Sequence, residues 1–298
     1  MKNKGNKILL IGFLVLMLAS ATILGIMSFS SAKETEEIEI ETIDTPEPSN
    51  NPMDPELRNV YLVNKSINAD YVGELKFKSG IINQSVVCAH SLYDASGELY
   101  TFYTEDGVQV TDPEGYTGND VYIWTYWKTM TYDYNINGGS VFADYRSFLD
   151  DQNYIIYGHH FSVIGGNDPE RIKAFTPLEL ILEEENYEKA QYVDFVLDNE
   201  IRHYELAVVY EYDINDDFYN ENCQYYRTNY DEKYTGEDDP GYYDTYIASI
   251  KKVQLYDTGV ELKNTDRTLT LQTCITNHVG ELYEILVYKE IGDEFYWD

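Results

Sequence analysis

From Tyr71 onward the chain is a succession of short runs that alternate or are rich in β-branched and aromatic residues, and this feature constrains the fold most. The runs are YVGELKF, SVVCAH, ELYTFYT, VYIWTYW, SVFADY, NYIIYG, YVDFVL, RHYELAVVYEY, RTLTLQTC and YEILVYKEI. Pairs such as Asp106-Gly107, Gly138-Gly139, Asn167-Asp168 and Asp198-Asn199 separate them, and these residue types favour turns over strands. The pattern predicts a mainly β domain whose strands close into a barrel.

Three helical signals stand apart from it. Asp54-Pro55 reads as an N-cap with proline at the first helical position, followed by Leu57, Val60, Tyr61 and Asn64 at helical spacing, which predicts a short helix to about residue 66. Thr176-Pro177-Leu178-Glu179 has a capping-box pattern and predicts a helix to about Lys189. Ile247, Ile250 and Val253 share one side of a predicted helix from about Asp244 to Tyr256, within a long connection, residues 212 to 266. So long a connection is seldom structureless, and it is expected to form a lid or a wall of a binding groove. No internal repeat is evident.

The N-terminal part is of another kind. Residues 8 to 29, ILLIGFLVLMLASATILGIMSF, are uncharged and mostly apolar, long enough as a helix to cross roughly 30 Å of hydrocarbon. A cleaved signal peptide competes with this reading, because Lys2, Lys4 and Lys7 form a positive n-region and LASA resembles a cleavage site. The length of the run favours an uncleaved anchor. Lysines precede it while Glu34, Glu36 and Glu37 follow, which places residues 1 to 7 in the cytoplasm and everything after about residue 30 outside it. Residues 30 to 53 are rich in Glu, Thr, Pro, Ser and Asn, the composition of a solvated stalk, and the folded domain is expected at 54 to 298.

The net charge of −32 excludes nucleic acid or an anionic membrane surface as a partner held through a basic patch. No EF-hand-like calcium loop occurs. The 30 tyrosines cluster in 187 to 256 and read as core and groove lining, with hydroxyls reaching solvent. Three cysteines, Cys88, Cys223 and Cys274, leave at least one free thiol even if Cys88 and Cys223 were bridged.

Cys274 lies where an alternating strand ends and a return strand follows, a place from which a thiol can face a groove. It could equally be a packed structural cysteine. A nucleophilic thiol needs a base within hydrogen-bond reach. Of the five histidines, His159 follows the apolar run NYIIYG and sits at a strand end, whereas His160 points the other way if the chain stays extended. His203 falls inside a strand, and His278 lies in the turn after Cys274.

The ordered set GGSVFADYRSFLDDQNYIIYGHHF (138 to 161), TLTLQTC (268 to 274) and a following strand ending in ILVYKEI resembles the sortases. NADYVGELKF (68 to 77) and the long insert before the cysteine strand are similar to class B members of that family. The resemblance covers about residues 54 to 298. It implies a closed sortase-type β-barrel with an N-terminal helix and helical insertions, on a single transmembrane helix, in the cell membrane with its catalytic domain outside. It implies a cysteine transpeptidase in which Cys274 forms a thioacyl intermediate with the sorting signal of a secreted protein, His159 moves the protons, and a cell-wall or pilin amine is the acceptor. Asn119, Thr273 and Glu284 would contact substrate, and no metal or cofactor is implied. One departure stands out: the family's arginine on the strand after the cysteine aligns with Glu284, and losing such a donor costs on the order of 3 kcal/mol of transition-state stabilisation. A module that binds sorting signals or pilins without transpeptidation is therefore the competing expectation.

Overall fold

A computed structural model of the chain describes residues 54–128, 131–134, 140–160, 174–229, 241–275 and 281–292. The expected membrane span at 8–29, the stalk at 30–53 and His278 lie outside these residues. No helix among the described residues is long and apolar enough to cross a membrane.

The strands are β1 (Tyr71–Phe77), β2 (Asn83–Val87), β3 (Thr125–Lys128), β4 (Thr131–Tyr134), β5 (Val141–Ala143), β6 (Asn153–Tyr157), β7 (Tyr192–Val196), β8 (Ile201–Asp213), β9 (Thr268–Cys274) and β10 (Leu282–Ile291). Eight of them close into a barrel in the order β1-β2-β5-β6-β9-β10-β8-β7, and β3 pairs with β4 separately. The expected barrel is thus present. Its neighbours are antiparallel except β2 with β5 and β6 with β9, which run parallel.

The period-two alternation of the strands divides two apolar layers. Leu269 and Leu271 of β9, Leu286 and Tyr288 of β10, and Tyr154 and Ile156 of β6 fill the interior with Phe77, Phe175 and Phe195. Ile285, Val287, Ile155, Tyr210 and Tyr212 point outward instead, where helix α4 (Tyr242–Val253) covers them with Tyr243, Tyr246, Ile247 and Ile250. A bulge between Val287 and Tyr288 keeps both faces in step, so that Leu206 and Val209 of β8 stay inside while Ala207 and Val208 face α4.

Helix α1 (Pro55–Ile67) begins as expected, the Asp54 carboxylate accepting from the Glu56 amide at 2.8 Å. The helix expected from Thr176 is instead two 3-10 segments, Thr176–Leu182 and Glu184–Lys189, broken at Glu183, whose backbone is extended. Leu178 and Ile181 are the buried pair of the first segment, and their spacing of three aligns them at three residues per turn. The long connection holds α3 (Asp217–Asn222), a 3-10 segment (Tyr225–Asn229) and α4, which starts earlier than expected and ends at Val253. A short helix α2 (Asp120–Ile123) occupies the first half of the expected strand VYIWTYW.

The expected strand ELYTFYT is also replaced. Residues 92 to 110 form two turns of like construction, with bridges Tyr93 to Leu99 and Tyr103 to Gln109, so this is a short tandem that sequence inspection passes over. Each turn needs a glycine at positive φ, Gly97 (83°) and Gly107 (80°). Outside these glycines and the leading tyrosines the two copies share little, which hides the repeat. Phe102 and Val110 pack on Phe142 and Tyr122, so the segment buttresses the barrel wall from behind.

Buried Asn153 ties the barrel to the long connection. Its amide donates to the Tyr225 carbonyl (3.2 Å) and to Thr228 Oγ1 (2.8 Å), and its carbonyl accepts from Thr268 (3.0 Å) and Thr270 (2.8 Å) of β9. Asn153→Leu leaves these groups unsatisfied, and we expect a loss of about 2–4 kcal/mol in chemical denaturation. A loss under about 0.5 kcal/mol would show that the clamp is not needed.

Candidate active site

The parallel register of β6 and β9 brings the expected pair together. Tyr157 lies beside Gln272, and the Gly158 amide donates to the Gln272 carbonyl at 3.1 Å. His159 and Cys274 each lie two residues further along the same direction, so period-two alternation puts both side chains on the outer face where Tyr157 and Gln272 already point. Both line one cavity of ≈ 450 Å³, together with Asn119, Ile123, Phe142, Tyr225, Tyr226 and Tyr283 among others. Tyr212, Ile214, Asn220, Tyr225 and Tyr226 come from the end of β8 and the long connection, which forms the expected wall of the groove.

Gly158 fixes the histidine. A Cβ there would meet the Phe175 ring at 2.5 Å, and the Phe175 amide in turn donates to the His159 carbonyl at 3.1 Å. The His159 ring lies on Trp124, with centroids 5.1 Å apart, and its Nε2–H donates to the Ile123 carbonyl at 2.5 Å. Burial lowers its pKa from 6.5, against the opposing pull of that carbonyl and of Glu105 in the second tandem turn. At neutral pH the imidazole is therefore neutral and able to accept a proton.

Asn119 lies in the cavity wall at the start of α2, where its Oδ1 accepts from the Tyr145 amide at 2.8 Å. Thr273 and Glu284, expected at the substrate, are elsewhere. The β9–β10 register pairs them with each other, one residue out of phase with Cys274, so both side chains point into the barrel and both residues are 0% exposed. Neither Thr273 Oγ1 nor either Glu284 carboxyl oxygen has a hydrogen-bond partner among the described residues. A one-residue offset thus moves the acid from the groove to the core, and no carboxylate at 284 faces the thiol. The residue opposite Cys274 on its own face is Tyr283, with Tyr212 opposite Tyr283 on β8, giving a row Cys274–Tyr283–Tyr212 across three strands.

The other candidates are placed too. His160 turns away and pairs with Glu179 at 2.8 Å, and His203 bonds Asp194 at 2.7 Å. His90 stacks on Phe148. All three cysteines are free, and Cys88 and Cys223 are buried, with burial pushing both thiols upward in pKa. Arg202 and Arg267 both donate to the Leu149 carbonyl at the opposite end of β9, on the order of 20 Å from the thiol. No lysine or arginine is among the described residues that line the cavity.

Burial raises the Glu284 pKa well above 4.5, and the nearby Glu179 and Glu211 raise it further. The unfolded chain therefore loses this proton at a lower pH than the folded one, so stability falls as pH rises past 4.5 towards the folded value. Glu284→Met should raise stability by about 1–3 kcal/mol, more at pH 8 than at pH 5, in denaturant titrations. Equal gains at both pH values would mean the buried acid is not held neutral.

No protein-family model matches the chain. Sortase B of Listeria monocytogenes serovar 1/2a is 29% identical over 161 residues, 53% of this chain, and the match spans about half (54%) of that relative's length. Clostridium perfringens sortase B superposes with a TM-score of 0.53 at 21% identity, covering 76% of this chain and 97% of that structure. Staphylococcus aureus sortase B gives 0.52 at 20% identity, covering 78% and 87%. The chain resembles class B sortases in sequence and has their barrel fold.

Proposed function

We propose that residues 54–298 form a class B sortase-type cysteine transpeptidase acting on the C-terminal sorting signals of secreted proteins. The observation that carries this reading is the β6–β9 register, which sets His159 and Cys274 side by side on one cavity wall. Cys274 ends β9 and His159 lies two residues beyond β6, so the register of the two adjacent strands aligns the groups, as a nucleophile and base require.

In this reading the neutral imidazole of His159 takes the thiol proton as the Cys274 sulfur bonds to the carbonyl carbon of a threonine in the signal. The carbonyl π pair moves to oxygen. When that pair returns, the C–N bond breaks, the imidazolium gives its proton to the leaving amine, and a thioester remains. A wall-precursor or pilin amine then attacks the thioester carbonyl, loses a proton to His159, and the departing sulfur recovers it. Residues 8 to 29 anchor the domain to the outer face of the membrane, and residues 30 to 53 space it away.

A second reading keeps the pocket and drops the chemistry: a module that binds sorting signals or pilins. The absence of a cation among the described lining residues favours it. Intact mass spectrometry of the purified protein with sorting-signal peptides separates the two. We expect an acyl adduct that vanishes in Cys274→Ala and is released by added hydroxylamine as a hydroxamate. Peptide binding with no adduct from pH 5 to 9 would establish the second reading instead.

The pH profile follows from His159. Because its pKa is lowered from 6.5, the neutral form persists into more acid solution, and the acid limb of kcat/KM should have its midpoint below pH 6.5. An acid limb at or above that pH would contradict the burial-driven shift.

A further inference from the structure

An acyl transfer through Cys274 builds negative charge on the substrate oxygen, and some donor must meet it. The family arginine is missing, and the described residues that line the cavity include no lysine or arginine. Arg146 packs over Tyr226, 5.8 Å from the ring centre, but its guanidinium is forked onto Asp144 at 2.8 and 2.6 Å. The Ile275 amide, next after the thiol, donates to the Leu282 carbonyl at 3.3 Å. Two hydroxyls in the wall are committed as well. Tyr157 donates to Asp144 at 2.6 Å, and Tyr212 to Asn220 Oδ1 at 2.8 Å.

Tyr283 differs from both. It lies directly opposite Cys274 in the β9–β10 pair, on the same face, and it lines the cavity. Its ring is held against Tyr212, with centroids 6.4 Å apart, and it interacts electrostatically with Cys274. His159 flanks the thiol from β6, so β10 is the side from which a donor reaches a carbonyl bonded to that sulfur. We propose that the Tyr283 hydroxyl is a catalytic donor to the substrate oxyanion, taking the place of the arginine. Burial and the charge of Cys274 both raise the phenol's pKa, so it stays protonated and able to donate. No covalent step is added: the O–H donates as the carbonyl pair shifts to oxygen and relaxes when the C–N bond breaks.

This rests on the transpeptidase reading, and the two can fail separately. The experiment measures acylation of Cys274 by a sorting-signal peptide in the wild type, Tyr283→Phe and Tyr283→Arg, with iodoacetamide alkylation of Cys274 as a control that builds no oxyanion. We expect Tyr283→Phe to lower kcat about tenfold to a hundredfold with KM little changed. Alkylation should stay within twofold, and Tyr283→Arg should recover most of kcat. Acylation by Tyr283→Phe at the wild-type rate would overturn the role of Tyr283 alone. Equal losses in acylation and alkylation would show that the residue acts on the thiol or on folding, which also overturns it. A wild type that alkylates at Cys274 but acylates with no peptide would overturn the transpeptidase reading and this role with it.

Discussion

The parallel pairing of β6 with β9 is the constraint on which the rest of the site depends. Parallel neighbours cannot be joined by a tight turn, so the chain must leave β6, cross over a long path and return before β9 begins. That path supplies β7, β8 and the connection whose tyrosines wall the cavity. The same pairing carries two chain segments to one end of the barrel with matched phase, and at that end stand an imidazole and a thiol. Asn153 secures the register at the other end by bonding both β9 and the wall. One buried amide thus links the alignment of the pair to the shape of the groove.

Strand phase decides the electrostatics. Cys274 and Tyr283 face the groove, while Thr273 and Glu284, one residue away on each strand, face the core. The groove is lined by aromatic rings, amides and one neutral histidine, and the acid that a linear alignment puts beside the thiol is in the barrel, where burial raises its pKa. A strongly acidic chain can in this way keep carboxylates off a nucleophilic sulfur, whose ionised form they would disfavour.

Much of this was legible in the sequence because it follows from local pattern. The alternating runs point to the barrel strands and Asp54-Pro55 to the first helix, while His159 and Cys274 stand out as a pair only through the sortase resemblance, and both line the cavity. The places of Thr273 and Glu284 were not legible, because they turn on a cross-strand register, and a count of residues along one strand carries no information about its partner. Tyr283 was overlooked for the same reason, although alternation along YEILV would have shown that 283 and 284 face opposite ways. The run ELYTFYT reads as a strand because Leu99, Tyr100, Phe102 and Tyr103 have high β propensity, which the glycine-bearing turns on either side override.

In the proposed transpeptidase the fold activates one cysteine of three by aligning His159 with it across β6 and β9. The most direct measurement is the alkylation rate of each cysteine in the native protein, resolved by peptide mass mapping, for the wild type and His159→Ala. Cys274 should be modified fast, about tenfold or more slower in His159→Ala, with Cys88 and Cys223 unmodified until the protein unfolds, since both are buried with raised pKa values. Cys274 reacting no faster than the two buried thiols, or at the same rate without His159, would contradict this activation.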